Sequence, residues 1–471
     1  MVRDGDIEYP ECRKWWCLGH FLHSLDVDPQ SVFKAYDIRG RVDNGELDAE
    51  LYRRVGVALV MLLDADTVAI GRDCRASSMG FFEALARGVT TAGADVVDLG
   101  EVPTDAVYFY SGSQDVPGAM ITASHNPPAY NGLKLCRPGA APIGMESGLA
   151  EIEQSVIDWA EPRAETGSVL RESIVGDYVD HLARIVPPDS IGDLAVAVDG
   201  GNGMAGVAIH DVFDRLPARL TGLYLELDGS FPNHPADPLV PENLNDLRAL
   251  MEAGSFDLGV AFDGDADRAF FLDDEAHPLP GSTVTSLIGR RILADNPGAA
   301  VVHNLITSKA VPEIIRENEG RPVRTRVGHS FIKQVMADTG AVFGGEHSGH
   351  YYFKDNYRAD SGMLAMLFLM RVLSEDSRPL SEIRHDVERY VSSGEINFEV
   401  SDVDAAMAAV EAAFPEAAID RLDGLTVDLG VRWFNLRPSN TEPLLRLNAE
   451  AEGSESVSEL VERVSDIVER R

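Results

Sequence analysis

Between residues 67 and 343 one rhythm repeats: a strand-length apolar run, a stretch of helical apolar spacing, then another short apolar run. Residues 67–71, 95–99 and 116–122 read as strands, with helices over 47–63, from about 72 to 92, and over 104–111. A second round follows, with a helical region over 145–186, strands over 194–198, 220–227 and 258–262, and helices over 201–213 and 243–253. A third has strands at 300–304, 323–327 and 341–343 between helices over 282–294, 309–318 and 331–339. Strands alternating with helices form mostly parallel sheets, which bury both faces and deliver loops at the strands' carboxyl ends. Three rounds of similar length predict three related mixed-sheet α/β units. Helices over 360–372 and 380–390 follow, and then strand signals at 396–400, 425–429 and 431–436 with helices over 403–413 and from 454 predict a smaller α+β unit. The expected limits are an N-terminal extension over 1–30, then 31–165, 166–275, 276–385 and 386–471. Trp159 and Tyr178 are expected core anchors.

Composition narrows what such a chain can do. Asp and Glu number 77 against 41 Lys and Arg, a net charge of −36, and only Lys14, Lys34, Lys134, Lys309, Lys333 and Lys354 are lysines. That balance argues against nucleic acid and anionic lipid as partners. It suits a high-salt cytoplasm, where screening removes self-repulsion. No stretch of 18 apolar residues exists, so no membrane span is expected. Cys12, Cys17, Cys74 and Cys136 have no framework spacing, which fits a reducing compartment.

Four loops carry the chemistry. Thr122-Ala123-Ser124-His125-Asn126-Pro127-Pro128 follows a predicted strand, and its prolines forbid an immediate helix. A serine there is a polar turn, or a weak nucleophile able to carry a phosphoryl group. Asp263-Gly264-Asp265-Ala266-Asp267-Arg268 follows another strand. In extended backbone its alternate carboxylates point one way. Two carboxylates ~4 Å apart repel by about 4 kcal/mol at an effective dielectric near 20, so three favour a hard cation such as Mg²⁺ or Ca²⁺. An EF-hand would need Gly where Arg268 stands and Glu where Asp274 stands. Gly344-Gly345-Glu346-His347-Ser348-Gly349-His350 lets backbone approach a ligand and sets a carboxylate beside a hydroxyl, as sugar hydroxyls require. Arg437-Pro438-Ser439-Asn440-Thr441 suits an unreacting phosphate.

Lys134 and His329 are titratable candidates near these loops; Lys134 could move a proton only if its pKa were lowered. One signal points elsewhere: Gly201-Asn202-Gly203-Met204-Ala205-Gly206, with Glu226 beyond, matches the dinucleotide fingerprint. Close helix–strand packing explains it equally, and nothing else in the chain resembles hydride-transfer equipment.

Taken together, and in this order, the four loops resemble those of the α-D-phosphohexomutase family, especially its phosphomannomutase/phosphoglucomutase branch, over residues 31–471. The family's opening motif is present as Ala35-Tyr36-Asp37-Ile38-Arg39-Gly40. The resemblance implies four domains around a central cleft. It implies a phosphoserine at Ser124, holding Mg²⁺ with Asp263, Asp265 and Asp267. Glu346, Ser348 and His125 would contact the sugar, and Arg437, Ser439, Asn440 and Thr441 its distal phosphate. Arg39, Arg268, Lys134 and His329 would line the reacting end. The implied reaction interconverts hexose 1-phosphate and hexose 6-phosphate through a 1,6-bisphosphate, in a monomer or homodimer. His347, where phosphoglucosamine mutases usually carry Gln, leans toward mannose and glucose. Glucosamine phosphate, a Mg²⁺-dependent sugar phosphatase and a non-catalytic binder are the alternatives.

Overall fold

The computed structural model describes residues 25, 27–161, 166–438 and 444–470, and of His329 the backbone alone. It contains four sheets in chain order. In space the first runs Ile38–Arg41, Tyr130–Arg137, Gly118–Ile121, Thr67–Arg72, Asp95–Glu101 and Val169–Arg171, with short Ala141–Pro142 beside Tyr130–Arg137. The second runs Pro278–Leu279, Ala269–Leu272, Leu258–Phe262, Ala195–Asp199 and Arg219–Leu223. The third runs Arg321–Thr325, Ala300–Asn304, Phe343–Gly345 and Tyr351–Phe353. These three sheets mix parallel and antiparallel pairs, whereas the fourth, around Leu445–Ala451 and Arg432–Pro438, is antiparallel throughout. The first sheet reaches past residue 165, because Val169–Arg171 pairs in parallel with Val96 to Asp98.

All four chemical loops share one device. Each follows a strand that is hydrogen-bonded, antiparallel, to the next strand of its own sheet. Ile121 pairs with Leu133, Phe262 with Ala269, Gly345 with Tyr351, and Pro438 with Leu445. The return strands Tyr130–Arg137, Ala269–Leu272 and Tyr351–Phe353 are absent from the sequence-based expectation. So is Ile38–Arg41, which pairs antiparallel with Tyr130–Arg137 and brings Arg39 beside the serine loop.

Most helices form where expected, with local causes, although 201–213 divides into a 3-10 turn, Met204–Val207, and the short Ile209–Phe213, and 380–390 keeps only Leu380–Ile383 and the 3-10 turn Arg384–Asp386. Asp48 caps Ala49–Leu63 by accepting from Leu51 N at 2.7 Å, and Asp64 ends it in the left-handed region at φ 49°. The expected helical region over 145–186 is a correction: it resolves into Leu149–Ile157, the strand Val169–Arg171 and Val175–Ile185. Gly148 at φ 130° stops the first turn from joining the helix behind it. Tyr178 is fully buried, whereas Trp159 is half-buried beneath the guanidinium groups of Arg53 and Arg54.

Helix Gly362–Glu375 is apolar on every side and is the axis of the main core. Ser361 caps it by accepting from Leu364 N at 3.1 Å. A Cβ on Gly362 would stand 2.8 Å from Ala266 O and 2.9 Å from Arg268 O, so this helix starts directly beneath the aspartate loop. Among the described residues, no helix is long and apolar enough to cross a membrane. Cys74 and Cys136 are free thiols, and Cys12 and Cys17 lie outside the described residues.

Candidate active site

Loops from the first two sheets meet at Ser124. Its hydroxyl donates to Asp263 Oδ2 at 2.7 Å and accepts from Arg268 Nη2 at 3.2 Å. His125 Nδ1 lies 3.3 Å from the same oxygen. Ser124 itself sits in the left-handed region at φ 52°, where a non-glycine residue is strained. Its loop lies backbone to backbone on the aspartate loop: a Cβ on Gly264 would collide with Ser124 O. A third layer lies behind, where a Cβ on Gly203 would be 2.6 Å from Gly264 O, and Met204 N donates to that oxygen at 2.9 Å. A Cβ on Gly206 would collide with Leu225 O. Two glycines of the apparent dinucleotide fingerprint are therefore taken up by close packing, Gly203 against the aspartate loop and Gly206 against Leu225, while Gly201 sits at φ 53°.

Asp263, Asp265 and Asp267 are all buried, and one carboxylate oxygen from each lies within 4.8 Å of the others. Asp265 Oδ1 and Asp267 Oδ1 have no hydrogen-bond partner among the described residues. Buried, converging and partly unsatisfied oxygens fit a hard divalent cation. Burial pushes the Asp263 carboxyl up to about 7 against the pull of Arg268. Asp265 goes the other way: burial opposes its charge, but Lys134 and Thr104 hold it below its ordinary value. Thr104 Oγ1 donates to Asp265 Oδ2 at 2.6 Å.

Lys134 lies inside the same cluster. Its ammonium lies 2.8 Å from Asp265 Oδ2 and 2.5 Å from Asp267 Oδ2. Burial opposes the charge, yet the two carboxylates outweigh it and hold Lys134 well above its ordinary value. In this arrangement it is held charged between two carboxylates.

Arg39 reaches the serine loop, donating to Asn126 Oδ1 at 2.7 Å and to Asp37 Oδ2 at 2.5 Å. His125 is kept neutral, its pKa brought down to about 2 by burial and then by Arg268 and Arg39. Glu346 is buried and accepts from Tyr352 Oη at 2.8 Å, Gly328 N at 3.2 Å and Asn304 Nδ2 at 3.3 Å. Asn304 also lies 3.1 Å from His347 Nδ1; burial, then Arg437, lowers His347 to about 3. Ser348 is half-buried on the same loop. Arg437 is buried, lies 3.4 Å from Glu395, and faces Arg446 across the sheet. Ser439, Asn440 and Thr441, and the side chain of His329, lie outside the described residues.

The sequence reading missed a set of buried partners. His350 Nδ1 is 2.9 Å from Asp360 Oδ2 and 3.9 Å from Asp267 Oδ1, and Asp360 also pairs with Lys333 at 2.7 Å. Burial opposes charge on His350, but Asp360 and Asp267 prevail and raise its pKa. His350 stands inside the loop over 344–350, whereas Asp360 and Lys333 carry no local signal.

Comparison with known proteins agrees across the chain. Models of the four phosphoglucomutase/phosphomannomutase domains match in order: alpha/beta/alpha domain I over residues 30–163, II over 176–276, III over 280–390 and the C-terminal domain over 395–467. The chain is 39% identical over 433 residues to the phosphohexose mutase of Xanthomonas campestris pv. campestris, covering 91% of this chain and 96% of that one. It is 38% identical over 436 residues to the phosphomannomutase of Salmonella montevideo, covering 90% and 95%. A crystal structure of a phosphoglucomutase/phosphomannomutase family protein from Burkholderia thailandensis superposes with a TM-score of 0.85 at 32% identity, covering 94% and 97%.

Proposed function

The chain belongs to the phosphoglucomutase/phosphomannomutase family and is a hexose phosphate mutase, and from that premise we propose that Ser124 carries the phosphoryl group in transit. The observation behind this reading is Ser124 Oγ, 2.7 Å from Asp263 and 3.2 Å from Arg268 at the edge of a buried aspartate trio. Asp263, Asp265 and Asp267 would hold Mg²⁺ together with the Ser124 phosphate. Bound there, the ion supplies positive charge to offset that of the transferring group.

The protein's own groups account for the rest. The free hydroxyl of a hexose 1- or 6-phosphate attacks the phosphorus on Ser124. The new sugar O–P bond forms as the Ser124 O–P bond breaks, and Arg268 offsets charge on the departing Oγ. The hydroxyl's proton goes to His329; Lys134, held charged by two carboxylates, instead neutralises the phosphoryl oxygens with Arg39. Glu346, Ser348 and His125 orient the sugar. Arg437, with Ser439, Asn440 and Thr441, grips the phosphate that does not react. The 1,6-bisphosphate then turns end for end and returns its other phosphate to Ser124.

Mannose and glucose phosphates are the proposed substrates, supported by the names of the relatives and by the neutral, half-buried His347 beside Glu346. We place the enzyme in a salt-rich cytoplasm, on the strength of its −36 charge and six lysines. The test is a coupled assay on mannose, glucose and glucosamine 1-phosphates with a bisphosphate activator, run on native protein and on Ser124→Ala. Native enzyme should turn over the first two, and the variant should lose nearly all turnover. Normal activity in Ser124→Ala would overturn the assignment.

A further inference from the structure

We infer that Arg75 is a positioning residue for phosphoryl transfer, whose guanidinium gathers the carbonyls of the Ser124 loop and so holds Oγ in place. The inference rests on the reading of Ser124 as the phosphoryl carrier.

The geometry accounts for every donor on the side chain. Nη2 donates to Ser124 O at 2.8 Å and to Asn126 O at 2.7 Å. Nη1 donates to Pro127 O at 2.7 Å and to Tyr130 O at 3.1 Å. Nε donates to Asp73 Oδ2 at 2.9 Å. A guanidinium has five N–H bonds in a fixed fork, and all five are engaged here. The side chain is 0% exposed, and Phe231 from the second unit covers it, its ring centroid 5.0 Å from the guanidinium carbon.

Asp73, which anchors Arg75, is itself fixed. It accepts from Ser78 Oγ at 2.5 Å, and its own N–H donates to Ile121 O at 2.9 Å, at the end of the strand that feeds the loop. Ser124 needs such support. Its φ of 52° is strained for a non-glycine residue and persists only where surroundings over-determine it. The Ser124 N–H is held by Thr122 Oγ1 at 2.9 Å, and its carbonyl by Arg75. The prolines restrict the loop but supply no hydrogen bond to orient the serine peptide. A lysine at 75 has three donors and no fork, so it cannot serve four carbonyls and Asp73 together.

The prediction is specific to chemistry. Arg75 touches neither the sugar-binding loop nor the distal-phosphate arginine, so substrate affinity should survive its loss. A misplacement of ~1 Å costs about 100-fold in rate, which is the expected fall in kcat for Arg75→Lys and Arg75→Met. KM for glucose 1-phosphate should stay within about threefold, since Glu346, Ser348 and Arg437 are untouched and only His125 of the sugar contacts rides on this loop. Phosphate on Ser124, read by intact mass after incubation with glucose 1,6-bisphosphate, should form more slowly in both variants. Asp73→Asn, which keeps the guanidinium and weakens its anchor, should lose about tenfold in kcat. Rates are referred to folded protein by near-UV circular dichroism, so a shortfall in folding does not register as lost kcat. If Arg75→Met does not fold, Arg75→Lys and Asp73→Asn decide the matter. Near-native kcat in folded Arg75→Lys would overturn the inference, as would a loss that appears wholly in KM. Ser124→Ala, assayed beside them, separates the two readings: its full activity would remove the carrier role, whereas its inactivity with normal Arg75 variants removes only the role of Arg75.

Discussion

Replacing Lys134 with Met should make the protein depend on a divalent cation for its stability. The Lys134 ammonium bridges Asp265 and Asp267 at 2.8 and 2.5 Å, with Asp263 completing the trio. Unit charges ~4 Å apart interact by about 4 kcal/mol at an effective dielectric near 20. Removing one partner of a buried ion pair costs about 3–5 kcal/mol, because the remaining charge is stranded. For a cooperative unit of 150–250 residues, 1 kcal/mol moves Tm by about 2–4 °C, so the variant in chelator should melt roughly 6–20 °C lower. The deficit should shrink as pH falls from 8 to 6. Stranded carboxylates titrate at raised pKa, as Asp263 already does near 7, and take up protons in the folded state. The same variant should bind Mg²⁺ more tightly than native protein, since no ammonium competes for the carboxylates. A cation at 100 times its Kd stabilises by about 2.7 kcal/mol, so the melting shift between chelator and millimolar Mg²⁺ should be larger in Lys134→Met. Differential scanning fluorimetry across pH with both additives reads all of this. Equal Mg²⁺-induced shifts in the two proteins, or a variant as stable as native in chelator, would refute the reasoning.

Three further outcomes are expected. Gly264→Ala should lose most of its activity while keeping its fold, because the added methyl collides with Ser124 O; kcat measured against far-UV circular dichroism checks it. His234 sets both ring nitrogens against acceptors, Asp199 Oδ2 at 3.0 Å and Pro235 O at 2.8 Å, and Asp199 raises its pKa. Its stabilising share is present below about pH 6.5 and is lost as pH rises through the higher folded value, so His234→Leu should flatten the decline in Tm between pH 6 and 8. With a net charge of −36 facing an anionic substrate, kcat/KM should rise with added KCl as screening weakens repulsion; a fall across 0.1–1 M, on the scale of Debye lengths from about 10 to 3 Å, would count against the salt-rich reading.

The chemistry was legible where it was contiguous. Ser124, the three aspartates, Glu346 and Arg437 each sit in a motif a few residues long, and strand-then-loop patterning placed each at a sheet end. Tyr130–Arg137 was not legible, because Asn131 and Lys134 interrupt its apolar alternation and its register depends on strands on both sides. Lys134 shows the limit on electrostatics. Its position ten residues after Ser124 marked it for the site, but the sign of its pKa shift comes from carboxylates more than 130 residues away. Asp360, Lys333 and Thr104 were invisible for the same reason, being joined to the site only through the folded chain. The apolar spacing over 145–186 concealed a strand, although Gly148 and Gly167 stood in the run as punctuation.

The hairpins that bound the Ser124, aspartate and Glu346 loops have a mechanical consequence. A loop stitched at both ends into its own sheet has little freedom to flap. Contacts between units differ in kind: a buried ion pair such as Lys134 with Asp265 ties the first to the second, whereas around Val327 the third meets the first and fourth through Tyr36 Oη on Val327 O and Val327 N on Asp423 Oδ2, both at 3.3 Å. In the proposed cycle, room for a sugar to somersault would come from whole lobes moving at contacts of the second kind, with each grip carried along unchanged. Because no grip has to be rebuilt after the swing, the sugar can be met in either orientation by the same set of fingers.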